Sequence, residues 1–313
     1  MPISPSGRQH HLRHGALRAV ITEVGAGLRT FIRGDWEVLD GYAEDEICPA
    51  ANGAVLAPWP NRLEDGRYEF GGLSHQLPLS EPERGNAIHG LVRWLAWETR
   101  EESAAQVVLG TLLHPQPGYP FSLELVAGYR LDDAGLTVTT TARNAGTAPL
   151  PFGSGHHPYL KLGTDLVDQA WLRLPAQSRL ELDPRQNATG RSLAVAGTEY
   201  DFRSGRALGP LRLDTAFTDL LPDPDGRSRT ELRGGDRPPG HPLDGLRLPL
   251  PDGLQRRHAG GAPAPAQPGS GAHDLRAERL PPSAARDARP GSWRAGFLQL
   301  GTHLLAIDHA PPI

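Results

Sequence analysis

Hydrophobic and polar positions alternate in short runs over residues 16–232, and this pattern is typical of β-strands. ALRAVITEV, for example, carries apolar or β-branched residues at alternating positions. Three later runs, AQVVLGTLLH, SLELVAGYRL and GLTVTTTARN, predict consecutive antiparallel strands of the length that is usual in sandwiches. No long run has the 3.6-residue period of an amphipathic helix. The pattern therefore predicts an all-β, two-sheet architecture.

Glycine and aspartate pairs separate these runs and mark the expected turns. They are Asp65-Gly66, Gly71-Gly72, Asp133 to Gly135 and Asp225-Gly226.

The alternation stops after Pro239. Residues 240–313 contain no Val, Tyr, Asn or Lys, and they are dense in Pro, Gly, Ala and Arg. A disordered tail is one interpretation of such a composition. We expect a single domain over residues 1–313, with a strand-rich part (1–239) and a tail of low order (240–313).

Composition excludes several classes of partner and location. The net charge is -4 without a basic stripe, so a nucleic acid is not expected as a partner. No segment is apolar over the length of a membrane span, and the N-terminus lacks the apolar core of a secretory signal. Cys48 is the only cysteine, which indicates a reducing cytoplasm. No signal specifies an oligomeric state.

Codon usage can be inferred from the same composition. Lys161 is the only lysine, whereas Arg, Gly, Ala and Pro are abundant. Those four residue types have GC-rich codons, so we infer a GC-rich bacterial genome.

The segment APWPNRLEDGRYEF holds the first candidate site residues. Asn61 and Arg62 follow a Pro-Trp-Pro sequence that cannot continue as a central strand. An arginine fixed there offers a planar fork of donors that suits sugar hydroxyls or a carboxylate. The alternative is a surface arginine beside a turn.

Histidines in two further motifs are the candidates for acid/base chemistry. His89 lies in GNAIHG, which has glycines at both ends that allow close backbone approach, although a lone histidine is more often a core residue. In GSGHHPYL, Pro158 restricts His157 to extended conformations, and Tyr159 adds an aromatic surface and a hydroxyl. His156 and His157 are adjacent in an extended segment, so only one of them is expected to face a given cleft.

Other interpretations of the polar residues are weaker. A metal site at HHLRH lacks a carboxylate or Cys to complete a ligand set, and no Ser lies in a GxSxG nucleophile elbow. Asp214, in RLDTAFTDL, has the alternative interpretation of an aspartate beside a turn.

PWPNR, GNAIHG, HHPYL and LDTAFTDL, in that order, resemble the motifs of the aldose 1-epimerase (galactose mutarotase-like) family, over about residues 18–232. The resemblance implies a large antiparallel β-sandwich with a sugar cleft on its concave face, a small-molecule sugar as the partner, and no cofactor or metal. It implies that His157 is the proton donor and that His89 acts with it as a catalytic residue that also holds substrate. It assigns substrate binding to Asn61, Arg62, Tyr159 and Asp214.

The resemblance also implies a general base, a glutamate near the C-terminus in a motif similar to E-P-M-T, and this chain has no such motif. Reading one base forward turns GAHDLRAERLPP into a segment compatible with E-P-M-T-C-A-P-N-A-F-R, with the glutamate at the position of Gly271. The frame change is placed at Arg237-Pro238-Pro239, whose codons are C-rich. We therefore predict a frameshifted tail, and poor folding or inactivity of the chain as printed.

Three functions remain open at this point. The first is an aldose 1-epimerase that acts on a free hexose, with a hexose 6-phosphate as a less favoured substrate. The second is a sugar-binding protein without catalysis, and the third is an inactive product of the frameshift.

Overall fold

The computed structural model describes residues 3–164 and 166–234, together with the backbone of three later strands. Within these residues the regular elements are almost entirely strands, joined by three short 3₁₀ helices. The all-β prediction is therefore confirmed. No helix in this part of the chain is long and apolar enough to cross a membrane.

The strands are numbered in chain order. They are β1 (Gln9–His14), β2 (Leu17–Thr22), β3 (Leu28–Arg33), β4 (Trp36–Glu37), β5 (Val55–Leu56), β6 (Arg62–Glu64), β7 (Arg67–Phe70), β8 (Leu73–Gln76), β9 (Asn86–Ile88), β10 (Glu98–Glu102), β11 (Gln106–Leu113), β12 (Leu123–Asp132), β13 (Gly135–Asn144), β14 (Leu150–Phe152), β15 (Gly155–His156), β16 (Trp171–Arg173), β17 (Ala176–Leu182), β18 (Ala188–Ala194), β19 (Arg206–Ala207), β20 (Asp214–Leu220), β21 (Ser228–Arg233), β22 (Leu246–Leu250), β23 (Gly296–Leu300) and β24 (Leu305–Ile307). The 3₁₀ helices are Pro49–Ala51, Pro82–Arg84 and Val167–Gln169.

Two antiparallel four-stranded sheets form the first half of the fold. Their strand orders are β1-β2-β3-β4 and β10-β11-β12-β13. The three consecutive antiparallel strands predicted from the sequence are β11, β12 and β13, and the expected turn lies between Asp132 and Gly135, which pair with each other. Along β12 every second side chain is buried, from Leu123 to Leu131, because successive strand residues point to opposite faces.

The two sheets pack against each other through β1, which contacts β11 and β12. The hydroxyl of Tyr129, on β12, donates a 2.5 Å hydrogen bond to the carbonyl of Ala26, in the β2–β3 connection. Both residues are fully buried, so this bond satisfies a polar group inside the core. The apolar side chains around it belong to one continuous hydrophobic cluster.

Two more four-stranded sheets form the second half, with strand orders β19-β16-β21-β22 and β18-β17-β20-β23. Strand β23 lies parallel to β20, and β24 pairs with β14. Three short strands of the predicted tail, β22, β23 and β24, thus pair with strands of the strand-rich part. The rest of residues 240–313, including Gly271 and its neighbours, lies outside the described residues, and so do Arg237 to Pro239.

Short strand pairs carry the candidate site residues. β6 pairs with β9, and β5 pairs with β15, both antiparallel. The first pair brings PWPNR beside GNAIHG, and the second places HHPYL at the end of β5.

Candidate active site

Asn61 and His89 face each other where the β6–β9 pair ends. The backbone N–H of His89 donates to the carbonyl of Asn61 at 2.9 Å, and the backbone N–H of Asn61 donates to Nδ1 of His89 at 3.2 Å. Both residues have left-handed backbone conformations, with φ of 60° and 65°. Because Nδ1 accepts a hydrogen bond, the proton of the neutral ring lies on Nε2.

Gly90 fixes the chain directly after His89. Its φ is +72°, and a Cβ there would lie 2.0 Å from the carbonyl oxygen of Ala57. Leu91 donates its N–H to that same oxygen at 2.7 Å. Only a glycine allows this close approach of two backbone segments.

The backbone around β5 holds His157. Its N–H donates to the carbonyl of Ala54 at 3.2 Å, and its carbonyl accepts from the N–H of Gly53 at 2.8 Å. His157 is buried, whereas the neighbouring His156 is exposed, with Nε2 2.9 Å from Oγ1 of Thr140. The two histidines thus point in different directions, as adjacent residues of an extended segment do.

Three aromatic rings from two motifs meet in the site. The rings of His89 and His157 form an edge-to-face pair with centroids 5.4 Å apart. The ring of Tyr159 stacks on His157 with centroids 5.0 Å apart, and its hydroxyl donates to the carbonyl of Ala50 at 3.2 Å. The structure therefore brings together the histidines and the tyrosine selected from the sequence.

Arg62 lies beside this cluster, and most of its donor fork is already bonded. Its Nε and Nη2 donate to the two carboxylate oxygens of Glu81 at 2.7 Å and 2.8 Å, and Nη1 donates to Oδ1 of Asn61 at 3.2 Å. The side chains of Arg62 and Glu81 are only 9% and 10% exposed. The sequence suggested sugar hydroxyls or a carboxylate as partners of Arg62, and the bidentate bond that the structure shows goes to a carboxylate of the chain itself.

Burial and neighbouring charge keep both histidines neutral at pH 7. Burial lowers the pKa of His89 to about 2, and the charges of His157, Arg93 and Arg62 act in the same direction. Burial also lowers the pKa of His157 to about 4, with a further contribution from Arg93. A proton donor at His157 therefore needs a nearby negative charge to hold its proton.

Arg93 and Glu81 were missed by the sequence interpretation. Arg93 follows His89 by four residues, is partly buried, and lies 5.5 Å from the ring of Trp94. Within the described residues no carboxylate forms an ion pair with its guanidinium. The available signal for Arg93 was its place in the run GNAIHGLVRW, four residues after His89, whereas nothing in the sequence distinguished Glu81 from a surface glutamate.

Asp214 is not bonded to the ring cluster in the part of the chain that the structure describes. It is exposed at the start of β20, and in the described part of the chain no hydrogen bond or ion pair joins it to the other candidate residues. The same part of the chain contains no group of three His, Cys, Asp or Glu side chains that could hold a metal.

This chain is similar to known proteins in sequence and in fold. A family model described as aldose 1-epimerase matches residues 8–224. The uncharacterized protein YihR of Escherichia coli K12 is 34% identical over 213 residues, which are 68% of this chain and 69% of YihR. The maltose epimerase of Levilactobacillus brevis is 30% identical over 156 residues, which are 47% of this chain and 45% of that protein. The match thus spans about two thirds of YihR and less than half of the maltose epimerase.

Among solved structures, the GalM/aldose epimerase homologue from C. elegans has a similar fold. It superposes with a TM-score of 0.65 at 20% identity, over 72% of this chain and 75% of that chain.

The low pKa of His157 predicts a specific dependence of stability on pH. The unfolded chain takes up this proton near the ordinary value of 6.5, whereas the folded chain takes it up only near pH 4. The stability that the folded chain gains from a neutral His157 is therefore complete above pH 6.5 and is lost as the pH falls toward 4. Between pH 7 and pH 5 the free energy of unfolding should fall by about 2 kcal/mol more in the wild type than in His157→Gln. Urea unfolding at each pH measures this difference, and an equal fall in both proteins contradicts it.

Proposed function

The chain belongs to the aldose 1-epimerase family, and from this premise we propose that it interconverts the α and β anomers of a free hexose. The observation that carries the proposal is the packing of His157 between His89 and Tyr159, in a cluster built from two motifs in which both histidines are buried. An aromatic surface and directional donors are what a sugar ring requires. We also infer a cytoplasmic location, since Cys48 is the only cysteine.

The reaction needs an acid and a base on opposite sides of the hemiacetal. A base removes the proton of the C1 hydroxyl while an acid protonates the ring oxygen, and the C1–O5 bond breaks to give the open-chain aldehyde. Rotation about C1–C2 and closure from the other face give the second anomer. In this proposal His157 is the acid, His89 donates to a sugar oxygen through Nε2, and Arg62 and Asn61 hold hydroxyl groups.

A carboxylate has two tasks in this mechanism. It accepts the C1 proton, and its negative charge raises the pKa of His157 from the low value that burial imposes. The family's glutamate meets both requirements, and in the chain as printed its position is read as Gly271. The frameshift remains our proposal for its absence, and the end of the family match at residue 224, before Arg237, supports it.

Two non-catalytic alternatives keep the same site. A sugar-binding protein would retain the ring cluster and Arg62 without the base, whereas an inactive product would bind no sugar. Calorimetry with the chain as printed separates them, because only the first releases heat on titration with a hexose.

Arg93 favours a second candidate substrate, a hexose 6-phosphate. It follows His89 by four residues, and its charge lowers the pKa of both His89 and His157. A cation that is partly buried is stabilised by an anionic ligand more strongly than by a neutral hydroxyl.

Restoration of the reading frame should restore catalysis. Removal of one cytosine from the codons for Arg237 to Pro239 should raise the rate of mutarotation, measured by polarimetry, by about 10²–10⁴-fold over the chain as printed. The control is the uncatalysed rate in the same buffer. Equal activity and equal stability of the two chains would refute the frameshift proposal.

Within the frame-restored chain, His157→Asn should lower the mutarotation rate by about 10²–10⁴-fold, because it removes the proton donor. His156→Asn is the matched control, since this neighbouring histidine is exposed and bonds Thr140 instead. An equal loss in both variants would remove the special role of His157.

A preference for the phosphorylated sugar should depend on Arg93. If the anion binds there, calorimetry should show tighter binding of glucose 6-phosphate than of glucose, and Arg93→Gln should remove about 10-fold or more of that preference. Arg130→Gln, at an exposed ion pair with Asp132 on β12, is the control for a general charge effect. No preference in the wild type eliminates this second candidate.

A further inference from the structure

The Arg62–Glu81 ion pair holds one edge of the Arg62 guanidinium and leaves the other edge, at Nη1, outside the pair. Glu81 binds the Nε and Nη2 edge with both of its oxygens. The remaining nitrogen, Nη1, donates to Oδ1 of Asn61, the residue whose backbone N–H donates to the ring of His89. A two-point bond of this kind holds the plane of an arginine and not only its position.

Glu81 is itself held on several sides. Its backbone N–H donates to the carbonyl of Asn86 at 2.9 Å, and its carbonyl accepts from the N–H of Asn86 at 3.1 Å. Nδ2 of Asn86 reaches both Oε2 of Glu81 and the carbonyl of Arg185, each at 3.1 Å. Although burial alone would raise the pKa of Glu81, the hydrogen bonds from Arg62 and Asn86 lower it, so the carboxylate is ionised at neutral pH.

Arg185 extends this support to the surrounding loops. Its guanidinium donates to the carbonyls of Arg84 and Gly85 and to the carboxylate of Asp65. The turn that leaves β6 and the segment that enters β9 are thereby bonded to one side chain. The carboxylate of Glu81 is therefore held by hydrogen bonds from Asn86 as well as by Arg62, and Asn86 is in turn bonded to the Arg185 carbonyl.

A buried ion pair is a poor source of stability, because the loss of hydration offsets the attraction of the charges. In other proteins, replacement of such a pair by well-packed apolar residues is often neutral or stabilising. The pair is better explained by its effect on the orientation of Arg62, which lies next to the ring cluster.

We propose that Glu81 is a positioning residue, which orients the guanidinium of Arg62 so that its Nη1 edge is aimed at the bound sugar. This inference rests on the proposed function, because it assigns Arg62 to the sugar. Glu81 touches no substrate and acts only through Arg62.

A double-mutant cycle tests this role in the frame-restored chain. Sugar affinity is measured by calorimetry, with glucose as the probe, for the wild type, Glu81→Gln, Arg62→Gln and the double variant. Glu81→Gln should weaken binding by about 10–100-fold, since small displacements of a positioned group have effects of this size. In the Arg62→Gln background the same change should have no further effect, whereas a purely structural role would weaken binding in both backgrounds.

Further variants guard against a folding defect. Glu81→Asp keeps the charge but shortens the side chain by one methylene, so it should fold like the wild type and bind with intermediate affinity. Glu124→Gln is the matched control, because Glu124 also accepts hydrogen bonds from two arginines, Arg100 and Arg143, in the sheet of β10–β13. Its affinity for glucose should be unchanged.

The two hypotheses fail in different ways. Unchanged affinity in Glu81→Gln, or an equal loss in the presence and absence of Arg62, overturns the positioning role and leaves the proposed function intact. Failure of the frame-restored chain to bind any hexose overturns the proposed function. In that case the side-chain Nε–Hε NMR signal of Arg62 still reports on the pair, and an identical signal in Glu81→Gln contradicts the orientation of Arg62 by Glu81.

Discussion

The reciprocal hydrogen bonds between Asn61 and His89 hold together two segments that lie 28 residues apart in the chain. They occur where β6 and β9 stop pairing. There Asn61 and His89 both have left-handed backbone conformations, so that their side chains leave the plane of the strand pair. Arg62 follows Asn61, and Gly90 follows His89 with its backbone against Ala57. The positions of the arginine fork and of the histidine ring therefore depend on the same two bonds.

The electrostatic character of the site follows from this arrangement. Two arginines act on two buried histidines, and the carboxylate of Glu81 is engaged by Arg62. The surroundings that the structure describes thus favour neutral imidazoles and favour an added negative charge. The chemistry of an epimerase needs such a charge in its base, and an anionic sugar would supply another. The requirement for a charged base and the candidate anionic substrate both follow from the same excess of positive charge.

Much of the architecture could be predicted because it depends on local pattern. Period-two alternation gave β11, β12 and β13, and the Asp-Gly and Gly-Gly pairs marked the turns after β6 and β7. The ring cluster could be anticipated only as separate motifs, since the distance between His89 and His157 is set by strand pairing and not by spacing. Glu81 could not be identified, because its partner is determined by the register of β6 against β9. The left-handed backbone of His89 was equally inaccessible, since positive φ is uncommon for any residue other than glycine, even though histidine is enriched among the exceptions.

The hydrogen bond from the Asn61 backbone to Nδ1 makes this nitrogen of His89 an acceptor and leaves Nε2 as the donor. Protonation of Nδ1 would remove the acceptor on which the Asn61 N–H depends, so this ring cannot alternate between donor and acceptor as most histidines do. Any group that bonds Nε2 must offer a lone pair. An ammonium group, as on a protonated amino sugar, has none to offer. The backbone geometry of one residue therefore restricts which groups can bond to one ring nitrogen, without a charge and without a steric barrier.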